Sequence, residues 1–393
     1  MQQPRLEVAE VLRSYGDEYL STHPVSGQQR RATSDLIACR TATLGGHRRR
    51  CTSCGNEEIA YNSCRNRHCP KCQGKKQALW LQARSADLLE IPYFHIVFTL
   101  PEALGPLVLQ NQRVLYGLLF RATAETLLTI ARDEKHLGAK IGFTAILHTW
   151  GQTLLYHPHV HCVVPAGGLS PDARQWIAAR EGFFLPVRVL SRLFREKYLA
   201  YLREAYQSGD LVLAGRLENL REERAWRTYL APIAKQDWVV YAKPPFGSPA
   251  QVLKYLARYT HRVAISNRRL IALEDGMVAF SYKDYKRGHR RRVTRLSAIE
   301  FMRRFLLHVL PRSFMRIRHY GLLANRMRRE NLRLCRRLLN SPIAFEADAE
   351  ETPEAPSTNW LCPVCEQRTL LIVSTVAPSF GSPEPRMNSP NDA

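Results

Sequence analysis

Apolar positions recur at helical spacing from Leu6 to Tyr19, with polar residues between them, which predicts an amphipathic helix. The period returns over Ala78 to Glu90. Tyr93 to Leu100 (YFHIVFTL) is β-rich and bounded by Pro92 and Pro101, so it reads as a strand. Leu107 to Lys135 reads as one long helix, and Phe143 to Thr149 and Val160 to Val164 as strands. Further on, Arg188 to Ser208 is helical, and Trp238 to Ala242 is a strand stopped by Pro244-Pro245. Pro249 to Tyr259 reads as a helix, with Ser248 as N-cap and Pro249 in the first turn. Short strands are expected at Val263 to Ser266, Arg269 to Leu273 and Met277 to Tyr282, the last two joined by Glu274-Asp275-Gly276. Helices follow at Ser297 to Val309 and Leu322 to Leu339. No repeat of fixed period is present. The pattern predicts an α+β fold with antiparallel strands.

The chain has 393 residues, of which 45% are hydrophobic. A sizeable core can form, and the length suits about two to three domains. Arg30 to Gln77 is different: rich in Cys and Arg and poor in aliphatic runs, it has the composition of a small module that needs a metal in place of a core.

The net charge of +22 excludes an ordinary near-neutral metabolic enzyme and points to a polyanionic partner, nucleic acid first and an anionic membrane second. The charge is localised. From Lys286 to Arg337 there are 17 Lys and Arg against two acids, Glu300 and Glu330. From Leu338 onward there are eight acids against two arginines, among many prolines, which predicts a largely disordered acidic tail. The most apolar stretch, Ile91 to Gln110, holds His95, Glu102 and three prolines, so no membrane span is expected. With no apolar leader and with cysteines in CxxC pairs, a cytoplasmic, metal-binding chain is expected.

Cys51-Thr-Ser-Cys54 and Cys69-Pro-Lys-Cys72 are separated by 14 residues, a spacing at which two knuckles can supply four thiolates to one tetrahedral zinc. Cys64 and His68 lie between them as substitutes. Arg48, Arg49, Arg50, Arg65, Arg67, Lys71, Lys75 and Lys76 surround the segment, so a closed structural zinc that docks DNA is expected, not a catalytic one. A further pair, Cys362 and Cys365, sits in the tail as half a knuckle to be completed by Cys335 or another chain, or as a remnant; Cys39 and Cys162 read as structural.

Tyr156 to Val164 (YHPHVHCVV) holds three histidines in five residues. On a strand, His159 and His161 share one face with Val160 behind them, about 7 Å apart, and can converge on one divalent ion. His148, Gln152 and His261 are candidates for a third ligand. Tyr255 and Tyr259 are four apart on the predicted helix, about 40° around its axis and about 6 Å along it, so both hydroxyls can face one site. Lys254, Arg258 and Arg262 bring cations that could contact phosphate or lower a phenol's pKa.

A histidine pair flanking a hydrophobe, with a helix bearing two tyrosines four apart, looks like an HUH endonuclease of the two-tyrosine type. With the cysteine segment, the chain resembles rolling-circle transposases of the insertion-sequence-91 family. The resemblance runs from about Ser14 to Leu339 and rests on CRNRHCPKCQ (Cys64 to Gln73), HTWGQTLLYHPHVHCVVPAGG (His148 to Gly168), YLARYTHRVAISN (Tyr255 to Asn267) and RHYGLLANR (Arg318 to Arg326). It implies a zinc-binding, DNA-docking domain at 1–90 and an HUH nuclease domain, an antiparallel sheet flanked by helices, at 91–285. A basic helical DNA-binding segment at 286–340, including Arg290, Arg291 and Arg292, and an acidic tail at 341–393 would follow. It implies cleavage and rejoining of single-stranded or hairpin DNA ends through 5′-phosphotyrosine links at Tyr255 and Tyr259, with Mg²⁺ or Mn²⁺ at His159 and His161. ATP is not expected, since no GxxxxGK[ST] loop is present. Trp226, Trp238 and Tyr241 could stack bases, although core packing is the commoner role of such residues and the one expected first for each. Two other classes fit the same residues: a non-catalytic zinc protein that binds DNA, and a metal-dependent phosphodiesterase that uses water.

Overall fold

A computed structural model describes residues 6–182, 184–246, 251–252, 263–284, 288, 290–341, 360–367 and 369–379. In chain order the elements are helices α1 (Val8–Thr22) and α2 (Gly27–Ala38), hairpin β1 (Gly46–Cys51) and β2 (Glu57–Tyr61), α3 (Gln73–Ser85) and β3 (Tyr93–Thr99). Next come α4 (Gly105–Gln110), α5 (Gln112–Arg132), β4 (Gly142–Trp150), β5 (Tyr156–Pro165), and the short pair β6 (Gly167–Leu169) and β7 (Trp176–Ala178). Helices α6 (Val187–Gln207) and α7 (Glu223–Lys235) precede β8 (Val240–Phe246), β9 (Leu270–Glu274), β10 (Met277–Asp284) and β11 (Arg290–Ser297). Helix α8 (Ala298–Leu306), β12 (Ile317–Gly321), α9 (Arg328–Leu338) and β13 (Leu370–Val376) complete the order.

The fold is α+β, as the pattern predicts. Its centre is a five-stranded antiparallel sheet in the order β12-β4-β5-β3-β8. Strand alternation sorts β5 into two faces. Val160, Cys162 and Val164 enter a large core with Ile96 and Phe98 of β3, under α5 and α6. His159, His161 and Val163 take the other face. Helix α5 is long and apolar enough to cross a membrane, but here its apolar residues lie in that core. β8 runs on through Pro244 and Pro245 instead of stopping before them; it is an edge strand, where proline costs no ladder bond on the open side. Gly321 closes β12 against β4: its φ is +59° and a Cβ there would stand 2.0 Å from the Ile141 carbonyl oxygen, so only glycine fits.

Other expectations change as well, and the strand expected at Val263 to Ser266 does not form. The predicted helix from Leu107 breaks at Asn111, whose side chain caps the break by donating to the Leu107 carbonyl (3.1 Å) and holding Val212 from both sides. The basic segment is not purely helical: β11 carries Arg290, Arg291 and Arg292, and β12 joins the central sheet at the far end from β8. The first four positions of β11, Arg290 to Val293, are all exposed and alternation begins only at Thr294, so the charge run hides the strand period. The tail is not wholly disordered, since residues 360–367 and 369–379 are folded and β13 pairs antiparallel with β1.

The N-terminal segment does not stand on metal alone. Val8, Val11 and Leu12 of α1 and Leu36 of α2 share one core with Phe280, Phe301 and Phe305 of β10 and α8, and Cys39, Cys69 and Cys72 lie in the same cluster.

Candidate active site and metal centres

The β4–β5 register sets His148 opposite His159 and Ile146 opposite His161, so three imidazoles rise from two neighbouring strands on one face. One nitrogen of each lies within 4.8 Å of the others, and the rings of His148 and His161 are 4.5 Å apart. His148 and His161 are buried, while His159 is partly exposed, which leaves the cluster a way out to solvent. Of the three candidates for a third ligand, the structure brings His148 to the pair. Gln152 instead accepts the Lys283 backbone N–H (3.4 Å), and His261 lies outside the described residues.

Hydrogen bonds set the tautomers. His159 Nδ1 donates to the His157 carbonyl (2.6 Å), leaving Nε2 as the acceptor that faces inward. His161 Nδ1 meets Nε2 of His95 on β3 at 2.8 Å, with the two rings stacked. Burial pushes the His95 pKa down to about 3, with Lys243 and His159 adding to the effect. His95 is therefore neutral, and its Nε2 can accept a hydrogen bond from His161 Nδ1–H, which leaves His161 Nε2 free for the cluster. A hydrogen-bond partner so placed would orient His161 if the cluster held an ion. Sequence reading missed His95; its one signal was a histidine inside an otherwise apolar strand.

The rim is basic and partly aromatic. Tyr241 pairs with Val97, which pairs with His161, so Tyr241 sits on the histidine face of the edge strand, exposed and 6.0 Å from Lys243 Nζ. Trp226 and Trp238 are buried in the main core, so neither is available for stacking. The small sheet β11-β10-β9 reaches the same region, where Arg269 donates to the Gln152 carbonyl, and Arg290, Arg291 and Arg292 are exposed along its outer strand. Arg292 is paired with Asp284 at 3.4 Å. Val252 is fully buried against Ile146 and Val163 on the histidine face. Tyr255 and Tyr259, with Lys254, Arg258 and Arg262, lie outside the described residues.

The structure does not bring Cys51, Cys54, Cys69 and Cys72 together. Cys69 and Cys72 meet Cys39 and Cys64, while Cys51 and Cys54 meet Cys362 and Cys365. The reason is local: the β1–β2 hairpin carries Cys51 and Cys54 away at its tip, whereas the loop from Cys64 to Cys72 folds onto the end of α2, where Cys39 is the C-cap. In the first group the Sγ separations are 3.5 Å (Cys39–Cys72), 3.6 Å (Cys39–Cys69) and 3.6 Å (Cys64–Cys72). Four thiolates about 2.3 Å from one zinc sit about 3.8 Å apart at the corners of a tetrahedron, so the donor set fits that ion. Hydrogen bonds from Cys64 and Cys69 hold Cys39 far below the ordinary thiol range, while the Cys39 bond drives Cys64 up. His68 stays outside the group and accepts the Leu310 N–H (3.3 Å). Cys39, read as structural, was legible only as a cysteine without a pair.

Residues 142–331 match the family described as "Putative transposase", and residues 11–100 the one described as "Transposase zinc-binding domain". Over 386 residues, 96% of this chain and 97% of the relative, the sequence is 53% identical to "Putative transposase y4qJ" of Sinorhizobium fredii (strain NBRC 101917 / NGR234). The chain belongs to the insertion-sequence-91 family of transposases. The transposase is also 29% identical over 338 residues, 84% of its length and 77% of the relative's, to "Transposase for insertion sequence element IS801" of Pseudomonas savastanoi pv. phaseolicola. No solved structure matches it. The zinc-binding region of the transposase supports a structural zinc, and the Cys39, Cys64, Cys69 and Cys72 group falls wholly inside its limits.

Proposed function

We propose that this transposase nicks and rejoins single-stranded DNA at the ends of its element through 5′-phosphotyrosine intermediates, as in rolling-circle transposition. One observation carries the reading: His148, His159 and His161 converge on one sheet face, and Val252 packs onto that face against Ile146 and Val163. The helix expected from the sequence over Pro249 to Tyr259 would put Tyr255 and Tyr259 three and seven residues on from Val252, on the same stripe. Such a helix would bring the nucleophiles toward the imidazoles.

The phenol oxygen of Tyr255 or Tyr259 attacks the scissile phosphorus in line. The phenol proton leaves to solvent, the P–O3′ bond breaks, and a free 3′-OH and a phosphotyrosine result. Attack of a 3′-OH on that link reverses the step and joins strands, so no nucleotide energy is consumed. His148, His159 and His161 would hold a divalent ion, which supplies Lewis-acid polarisation of the phosphate oxygens. Three nitrogen donors suit Mn²⁺ better than Mg²⁺. Lys254, Arg258 and Arg262 would neutralise phosphate near the tyrosines. The zinc-binding domain and Arg290, Arg291 and Arg292 would hold the flanking single strand or hairpin, with Tyr241 as a stacking platform. A cytoplasmic, nucleoid-associated protein accords with this role.

The test is incubation with single-stranded DNA from the element's end and Mn²⁺. A covalent protein–DNA adduct is expected, and its loss in Tyr255→Phe/Tyr259→Phe. Cleavage without an adduct would favour a water-using phosphodiesterase; tight binding without cleavage would favour a DNA-binding zinc protein.

A further inference from the structure

We infer that Cys51, Cys54, Cys362 and Cys365 form a second, separate zinc centre that fastens the C-terminal segment to the N-terminal module. The inference goes beyond the DNA chemistry and does not depend on it. Cys362 and Cys365 lie outside both matched family regions, which end at residues 100 and 331.

The two halves of this group are built alike. In one, the Gly55 N–H donates to the Cys51 carbonyl (3.0 Å); in the other, the Glu366 N–H donates to the Cys362 carbonyl (2.9 Å). The residue after each second cysteine has a positive φ, +72° at Gly55 and +56° at Glu366. That is the tight turn which aims both sulfurs of a CxxC at one point, and it occurs twice, from segments far apart in sequence. Glu366 adopts it although it is neither glycine nor asparagine, which a solvated tail would have no reason to do.

The halves face each other across Sγ separations of 3.5 Å (Cys51–Cys365) and 3.6 Å (Cys54–Cys362), with all four sulfurs within 4.8 Å. These separations are far beyond a disulfide bond of about 2.05 Å and close to the tetrahedral edge about a zinc. The surroundings supply the rest of a structural site. β13 pairs with β1 from Gly46–Val376 to Cys51–Leu370, the Thr52 N–H donates to the Thr369 carbonyl (3.0 Å), and the Arg49 guanidinium lies 3.8 Å over the Trp360 ring. Cys51, Cys362 and Leu370 form their own small apolar cluster. So little apolar area cannot hold two distant segments together unaided; a four-thiolate ion can. Zinc uptake releases the four thiol protons and leaves no open coordination position.

Zinc analysis of the full-length protein, purified in reductant, tests this. Two zinc ions per chain are expected, and one in Cys362→Ser/Cys365→Ser. Exchange of the β13 backbone amides should accelerate in that variant while those of α1 and α2 keep their protection. Cys54→Ser, at an exposed position, repeats the test with little risk to folding and should also lose one ion. One zinc in the parent protein, both ions retained in either variant, or oxidised cysteine pairs in place of the ion would overturn the inference.

Discussion

The two cysteine groups share a donor set but differ in what stands behind it. Cys39, Cys69 and Cys72 are buried in a core that also contains Val11, Leu12, Phe280, Phe301 and Phe305. The Cys51, Cys54, Cys362 and Cys365 group rests on a three-residue apolar cluster, with Cys54 exposed. A metal in the first place is one support among many and is wired to the rest of the protein through α8. A metal in the second would join only a strand pairing and an Arg–Trp contact, with little apolar surface behind them. The lesson is that thiolate count does not set the consequence of losing an ion; the apolar surface that remains without it does.

The largest effect should follow from damage to the first group. Cys69→Ala removes a ligand where structural zinc contributes up to about 10–16 kcal/mol and opens a void in a shared core. Loss of cooperative unfolding, read by circular dichroism melting, is expected. A melt unchanged from the parent would mean the core needs no ion. Next, Phe301→Ala should cost about 3–5 kcal/mol and, because the core is shared, should also speed zinc release to a chelator from the first group but not from the second. Equal release rates from both would show that the N-terminal module is autonomous.

The histidine face gives the intermediate effects. His159→Ala is expected to abolish cleavage while DNA binding stays within a few-fold; parallel loss of binding would argue that the histidines hold the fold and not an ion. His95→Phe keeps the ring's bulk but removes the acceptor at His161 Nδ1, 2.8 Å away. Mn²⁺ affinity should fall about 10–100-fold, measured by titration, with the melting temperature little changed. An unaltered affinity would remove His95 from the outer shell.

Much of this was readable in the sequence, for physical reasons that differ by region. The histidine face was legible because strand alternation is a two-residue rule: His159 and His161 had to share a face, and Val160 had to point behind them. His148 needed the register between β4 and β5, which the turn at 151–155 sets and the spacing does not. Cysteine partners were the least legible. Which knuckles meet depends on where a hairpin tip and a distant tail are carried, and sequence proximity favoured a pairing of Cys51 and Cys54 with Cys69 and Cys72 that the fold does not make. The tail misled because its composition is that of a disordered chain, and a short folded stretch paired to β1 does not alter an average. Likewise β11 was hidden because its arginines dominate the reading of a strand whose inward positions are few.

The smallest effect concerns how α8 is tied to the turn before the histidine strand. Glu300 accepts from Arg303 Nε (2.6 Å) and Arg304 Nε (2.6 Å), and Arg304 reaches on to the Thr153 carbonyl (3.1 Å). The hydrogen bond from Arg303, then that from Arg304, hold the Glu300 carboxyl down at about 2 against an ordinary 4.5, in spite of partial burial. A folded-state pKa below the unfolded one contributes stability that is complete above about pH 4.5 and is lost as pH falls through about 2. The pairs are partly exposed, so about 1 kcal/mol is expected at neutral pH. Urea unfolding of the parent and Glu300→Gln should therefore differ by about that amount at pH 7 and converge as the pH drops through this window. A gap that stays constant into acid would place the contribution in packing instead of charge. It would then be the buried side of α8, not its arginines, that carries the link between the zinc core and the histidine face.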